Sequence, residues 1–334
     1  MTAFKPGASP PPVRIPIRFI THLLECYRLM IKKGSSRLII HPFLANHFQP
    51  TYNVAMQTQP QPSKFETIAS WIVPLAAIIA VAAWFIIAPE GALGKLDAIG
   101  YAVCHRIDER SFQIDDRQLP LCARCTGEFY AAGIALLFQA VVSGRRSQLP
   151  SKGVLAILVA FFLAFGIDGT NSYIYLLKQT SGGLEQIPNL YVPNNILRLF
   201  TGSGMGIALA SVLFPVVNQT LWRTADNRPA LGFKQLGILS AIIVIINLLI
   251  LTDSPIVLYP IAYISALGTL SLLVTVFGIL WIIIMKQDNT FDHPRQLWLA
   301  FASGLTLALL LVLGIDLLRL QFTGTWNGFP GMTG

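Results

Sequence analysis

VLYPIAYISALGTLSLLVTVFGILWIIIM, residues 257–285, runs without one charged side chain. A helix rises about 1.5 Å per residue, and a hydrocarbon core about 30 Å thick needs about 20 apolar residues to cross it. This run is long enough to span a bilayer. Its apolar residues are continuous instead of alternating, so it reads as a helix and not as the strand of a barrel. Working outward, six further runs have the same character: 68–88, 126–143, 153–169, 195–217, 236–252 and 297–318. Those at 126–143, 153–169 and 236–252 are short or end in polar residues. Composition agrees, with 54% hydrophobic and 12% charged residues and a mean hydropathy of +0.60, far from the balance of a soluble domain. The expected fold class is all-α: a polytopic helical bundle of about seven transmembrane helices, partnered by a lipid bilayer.

Three parts follow. Residues 1–65 form a basic, Pro-rich tail, 66–320 the bundle with additional spans at 236–318, and 321–334 a C-terminal tail. Within the first, Ile15, Phe19, Ile20, Leu23, Leu24, Tyr27 and Met30 against Arg14, Arg18 and Arg28 suit an interfacial amphipathic helix over 15–31. The alternative is that translation starts at Met56. Neither version resembles a cleaved signal peptide, and Cys26 belongs to this segment.

Lys and Arg in the connections set the orientation. Arg145, Arg146 and Lys152, then Arg223, Arg228 and Lys234, then Lys286 and Arg295 mark three loops as cytoplasmic. The connections on the other side are poor in basic residues, except 89–125, which holds Lys95, Arg106, Arg110, Arg117 and Arg124. The N-terminus is therefore expected inside and the 89–125 loop outside. The net charge of +8 then reflects the cytoplasmic, lipid-facing side, and no basic domain argues for nucleic acid. Phosphate-binding Gly loops, Gly-x-Ser-x-Gly elbows and His-Glu-x-x-His helices are missing from the sequence, so common soluble chemistries find no support.

That loop carries three of the chain's four cysteines, Cys104, Cys122 and Cys125, with His105 beside the first. Thiolate sulfur and imidazole are the ligands zinc prefers, and a Cys-x-x-Cys pair places both sulfurs within reach of one ion, or of each other. Apolar residues at Leu93, Leu96, Ile99, Val103 and Ile107 predict a short helix. Adjacent ligands point about 100° apart on a helix, so Cys104 and His105 can share an ion only if the helix ends there. Asp108 and Glu109 are candidates for a fourth ligand or for orienting the imidazole, or they form a solvated charged face with Arg106 and Arg110. Pro120 forces an extended chain before Cys122, and a cysteine at a helix start beside Arg124 is biased toward thiolate.

Charged or polar side chains near span ends, Arg124, Glu128, Asp168, Asn194 and Arg198, are candidates for an outward-facing pocket, since charge at membrane depth is costly unless paired. Asp253, Asp316 and Arg319 lie at other ends on the same side. The glycines at 202, 204 and 206 suit a helix-packing face.

Cys104-His105-Arg106, Arg110-Ser111-Phe112, Leu121-Cys122-Ala123-Arg124-Cys125-Thr126-Gly127, Asp168-Gly169, Asn195 to Arg198 and Thr201-Gly202 resemble the prokaryotic integral-membrane family known as domain of unknown function 2085. The resemblance covers roughly 95–215. It implies that these segments belong together and brings no reaction with it. From the residues, the leading expectation is a zinc site of Cys104, Cys122, Cys125 and His105 or an acid. Alternatives are a thiol-disulfide oxidoreductase using Cys122 and Cys125 with a quinone, and a transport or interaction protein braced by a cysteine bridge. Whether the chain is an enzyme is left open.

Overall fold

The computed structural model describes residues 64–181 and 186–326. The proposed amphipathic helix at 15–31, Met56 and Cys26 lie outside the described residues.

Eight helices of ten or more residues form among the described residues. They are α1 (Lys64–Ile87), α2 (Gly91–Val103), α3 (Ala123–Ser143), α4 (Lys152–Ser181), α5 (Asn195–Leu221), α6 (Phe233–Ile250), α7 (Pro255–Ile284) and α8 (Trp298–Thr323). Seven, all but α2, are long and apolar enough to cross a membrane. Their outer faces carry Trp71, Ile86, Val141, Ile256 and Phe322 in the open, which fits lipid as their surroundings.

The helix that contains the 153–169 run is longer than its apolar stretch. α4 continues to Ser181, taking Asn171 and Ser172 into the helix beyond Asp168 instead of leaving them in a loop. These polar residues are all buried, and neighbours hydrogen-bond them: Arg124 reaches Asp168 and Ser172, and Asn171 donates to the Tyr191 carbonyl. Local hydropathy ends where the helix does not.

α3 is the centre of the bundle. Against α5 it packs backbone to backbone: a Cβ on Gly202 would collide with the Arg124 carbonyl, one on Gly206 with the Glu128 carbonyl, and one on Gly127 with the Leu199 carbonyl. Gly-x-x-x-Gly spacing permits this approach. Gly204 faces away, toward Phe161 of α4. On another side, Gly268 of α7 meets the Phe129 carbonyl of α3. Within the core the Tyr130 hydroxyl donates to Asn247 Oδ1 at 2.5 Å and Ser203 Oγ donates to the same oxygen at 3.0 Å, tying α3, α5 and α6.

Connections separate cleanly by end. At one end β3 (Arg146–Gln148) pairs in parallel with β4 (Asp226–Pro229), and Trp222 bridges Phe291. This gathers the three loops expected to be cytoplasmic. The other end holds α2, a 3-10 turn at Asp108–Arg110, and a hairpin of β1 (Gln113–Ile114) and β2 (Arg117–Gln118). The hairpin turn, Asp115 and Asp116 at φ 47° and 61°, has the two left-handed residues of a type I′ turn.

Candidate functional site

Two elements bring the sulfurs together. α2 ends at Val103, leaving Cys104 as an extended C-cap, and Cys122 is the extended N-cap of α3. They meet because Gly100 lies against the Pro120 backbone, where a Cβ would collide with the Pro120 carbonyl. A side chain at position 100 would wedge the end of α2 away from the start of α3.

Cys104 Sγ, a ring nitrogen of His105 and Cys122 Sγ all lie within 4.8 Å of one another. The Cys104 Sγ to His105 Nδ1 distance is 3.5 Å. Tetrahedral zinc, with bonds of about 2.3 Å to sulfur and about 2.0 Å to nitrogen, sets such ligands about 3.5 Å apart. Cys125 falls outside that mutual set, but one turn into α3 its thiol contacts both Cys104 and Cys122. All three thiols are free.

The backbone is arranged around Cys104 as an acceptor. Amides of Arg106 and Cys122 donate to its sulfur at 3.4 and 3.3 Å. The first is possible because Arg106 adopts a left-handed conformation, φ 52°, which is uncommon for a residue with a side chain. Hydrogen bonds from Cys104 and Cys125 hold the Cys122 thiol well below its ordinary value. The same bond to Cys122 pushes Cys104 up to about 12. One of the buried sulfurs is thus readily charged, at the positive end of the α3 dipole.

Charged side chains brace the loop on the α8 side. Buried Arg106 bonds Asp97 Oδ1 at 3.0 Å and the Trp326 carbonyl at 3.0 Å, and Arg117 takes the other oxygen of Asp97 at 2.6 Å. Burial lowers the pKa of Arg106. Arg319 of α8 donates to the Cys104 carbonyl at 2.7 Å. Asp316, also on α8, is fully buried, and Asp253 sits in the turn before α7.

The expected helical pairing of Asp108 with Cys104 and Glu109 with His105 does not form. α2 has already ended, and both acids stand exposed on the 3-10 turn. Asp108 accepts from Gln113 Nε2 at 2.8 Å.

The charged candidates divide as well. Arg124 and Asp168 form an ion pair between α3 and α4, with Arg124 Nε to Asp168 Oδ2 at 3.0 Å. The Tyr191 hydroxyl donates to Asp168 Oδ1 at 2.8 Å and Thr201 Oγ1 to Oδ2 at 3.2 Å. Burial and this bond push the Tyr191 phenol up to about 12. Arg198 is buried beside them and bonds Asn195 Oδ1 at 2.8 Å. Glu128 is half-buried within electrostatic reach of Arg124 and Cys122. Asn194 is an exposed helix cap whose side chain accepts from the Leu197 amide at 2.8 Å. The sequence reading missed Arg110, Ser172 and Tyr191. Arg110 is buried and donates to the Ser172 carbonyl at 3.4 Å. Its only sequence signal lay in the Arg110-Ser111-Phe112 piece of the family resemblance.

Residues 104–212 match the family model described as "Predicted membrane protein (DUF2085)", which bears out the resemblance over that segment. A protein of Methanothermobacter thermautotrophicus described as uncharacterized is 26% identical over 108 residues, covering 32% of this chain and 81% of the relative. No solved structure matches significantly. The matched segment runs from Cys104 into α5, so it contains the sulfur cluster, the Arg124 to Asp168 pair and the glycine seam.

Proposed function

We propose that this integral membrane protein holds a metal ion, zinc by its donor set, on Cys104, Cys122, His105 and Cys125. The observation that carries the reading is the sulfur to nitrogen separation of 3.5 Å between Cys104 and His105, with Cys122 inside the same 4.8 Å set. Three sulfurs and one imidazole form a closed soft site of the structural kind. Such a site ties α2 to the start of α3, the helix against which α5 and α7 pack. Asp108 and Glu109 have no part in it.

Elemental analysis of protein purified without chelator tests the reading. About one zinc per chain is expected, falling to near zero in Cys122→Ser. Metal-free protein, or a Cys122→Ser variant with full metal content, overturns it.

A second reading, thiol-disulfide exchange, is favoured by the free thiols and by the readily ionised Cys122. Cys122 and Cys125 would be oxidised to a disulfide, a quinone accepting the two electrons and two protons. A reducible Cys122 to Cys125 bond in metal-free protein would select this reading.

We further place the cluster on the outer face of a prokaryotic plasma membrane, from the basic residues of the β3 and β4 end. Asp116→Cys should react with a membrane-impermeant maleimide in intact cells, and Asp226→Cys only after lysis. The reverse pattern inverts the topology.

A further inference from the structure

Three arginines converge where α3, α4 and α5 meet the 3-10 turn. Arg110 and Arg124 both donate to Ser172, one to its carbonyl at 3.4 Å and the other to its hydroxyl at 2.9 Å. Arg198 lies within electrostatic reach of both. Arg110 and Arg198 are 8% and 6% exposed.

Only one of the three is ion-paired. Asp168 is taken by Arg124, whereas neither Arg110 nor Arg198 has a salt bridge among the described residues. Glu128 of α3 faces the cluster near Arg124 and Glu109 faces it near Arg110, but neither carboxylate hydrogen-bonds an arginine. The donors are largely unspent. Arg198 gives one bond, through Nη1 to Asn195, and its buried Nε has no partner. Arg110 gives a single long one.

A guanidinium has five N–H donors in a planar fork suited to oxyanions. Burying it without a counter-charge is strongly unfavourable. Two such groups within electrostatic reach of each other and of Arg124 call for an anion. We propose that Arg110 and Arg198, with Arg124 behind them, bind a phosphate group. Thr201, one turn beyond Arg198 and bonded to Asp168, also lines a groove of about 270 Å³ between α4, α5 and α6 whose walls include Phe161, Phe200 and Val244. A phosphate can therefore arrive free or as the head of a phospholipid whose chain follows that groove.

The competing role for these arginines is to neutralise the sulfur cluster, since Arg110 and Arg198 both lie within electrostatic reach of Cys122. The experiment separates the two. Full-length protein in neutral detergent is melted in sodium phosphate against sodium chloride at equal ionic strength, and in mixed micelles with phosphatidic acid against diacylglycerol, which lacks the phosphate. A saturable rise in melting temperature in either phosphate-containing arm is expected. The arm that responds identifies the source. Arg110→Gln and Arg198→Gln should each weaken the half-saturating concentration by tenfold or more, a factor in keeping with loss of one charged hydrogen-bonding partner. Arg117→Gln, on the Asp97 side of the loop, should leave it unchanged. If Arg198→Gln does not fold, Arg110→Gln and Arg198→Lys carry the test, the lysine keeping the charge but losing the fork. No rise in either arm overturns the proposal, as does a rise that survives the Gln substitutions. Loss of bound metal in those variants without any phosphate response assigns the arginines to the sulfur cluster instead.

Discussion

At the β3 and β4 end, Arg228 pairs with Asp226 at 2.5 Å and Arg223 with Asp292 at 3.4 Å, and these side chains are between 32% and 67% exposed. At the cysteine end, Arg106 pairs with Asp97 at 3.0 Å, and Arg124 pairs with Asp168, whose side chain is 1% exposed. The residue types are the same and their surroundings opposite. In water the attraction is screened and both partners stay hydrated if separated, so an exposed pair is worth little. A buried pair cannot be broken without stranding a charge. The first end is thus fastened by backbone pairing and buried polar side chains, and its exposed ion pairs are tolerant. The second depends on which charge faces which, and the sulfur cluster lies within it.

Asp168→Asn tests this contrast most severely. It leaves Arg124 beside two further arginines without a full counter-charge, and about 3–5 kcal/mol of stability should be lost in denaturant unfolding monitored in detergent. A loss within 1 kcal/mol or so, the range of exposed pairs, would put the two ends on an equal footing. Gly202→Val comes next. Its side chain must displace the Arg124 carbonyl, which shifts the start of α3 and should cost about 1–3 kcal/mol as an overpacked contact. An unchanged unfolding midpoint would show that the α3 to α5 seam can yield. Asn194→Ala removes the cap of α5 and should destabilise by about 1 kcal/mol, with no effect on metal content. Loss of metal in that variant would couple Asn194 to the sulfur cluster. Smallest is Asp226→Asn: freeing Arg228 at the surface should leave the melting curve superimposable on that of the native chain. A clear drop there would show that the exposed end is less tolerant than its solvation suggests.

The same contrast explains what could be read from the chain. All seven spans were legible, because the requirement for a long apolar run is met residue by residue along the sequence. The cysteines and the histidine were legible as candidates, since Cys-x-x-Cys and Cys-His are short spacings, but the meeting of Cys104 with Cys122, 18 residues on, was not. Its surroundings were not. Asp108 and Glu109 were assigned by helical spacing beyond the point where α2 stops, and the chain turns away through a left-handed Arg106. Arg110 meets Ser172 across 62 residues, a distance over which no local pattern speaks. The five basic residues that dissented from the orientation also have tertiary explanations. Lys95 caps carbonyls at the end of α1, Arg106 and Arg117 share Asp97, Arg124 takes Asp168, and Arg110 is buried.

The sequence by itself determined that this is a membrane helical bundle and which thiols and imidazole are available to a metal. Both follow from properties of single residues and short spacings, hydrophobicity in one case and ligand chemistry in the other. Only the tertiary structure decided that Gly100 seats against Pro120 so that Cys104 meets Cys122, that α4 carries Asp168 to Arg124, and that two arginines are buried without carboxylate partners among the described residues. Those outcomes depend on how closely backbones can approach and on which distant group neutralises a charge removed from water, and neither is encoded within any one stretch of chain.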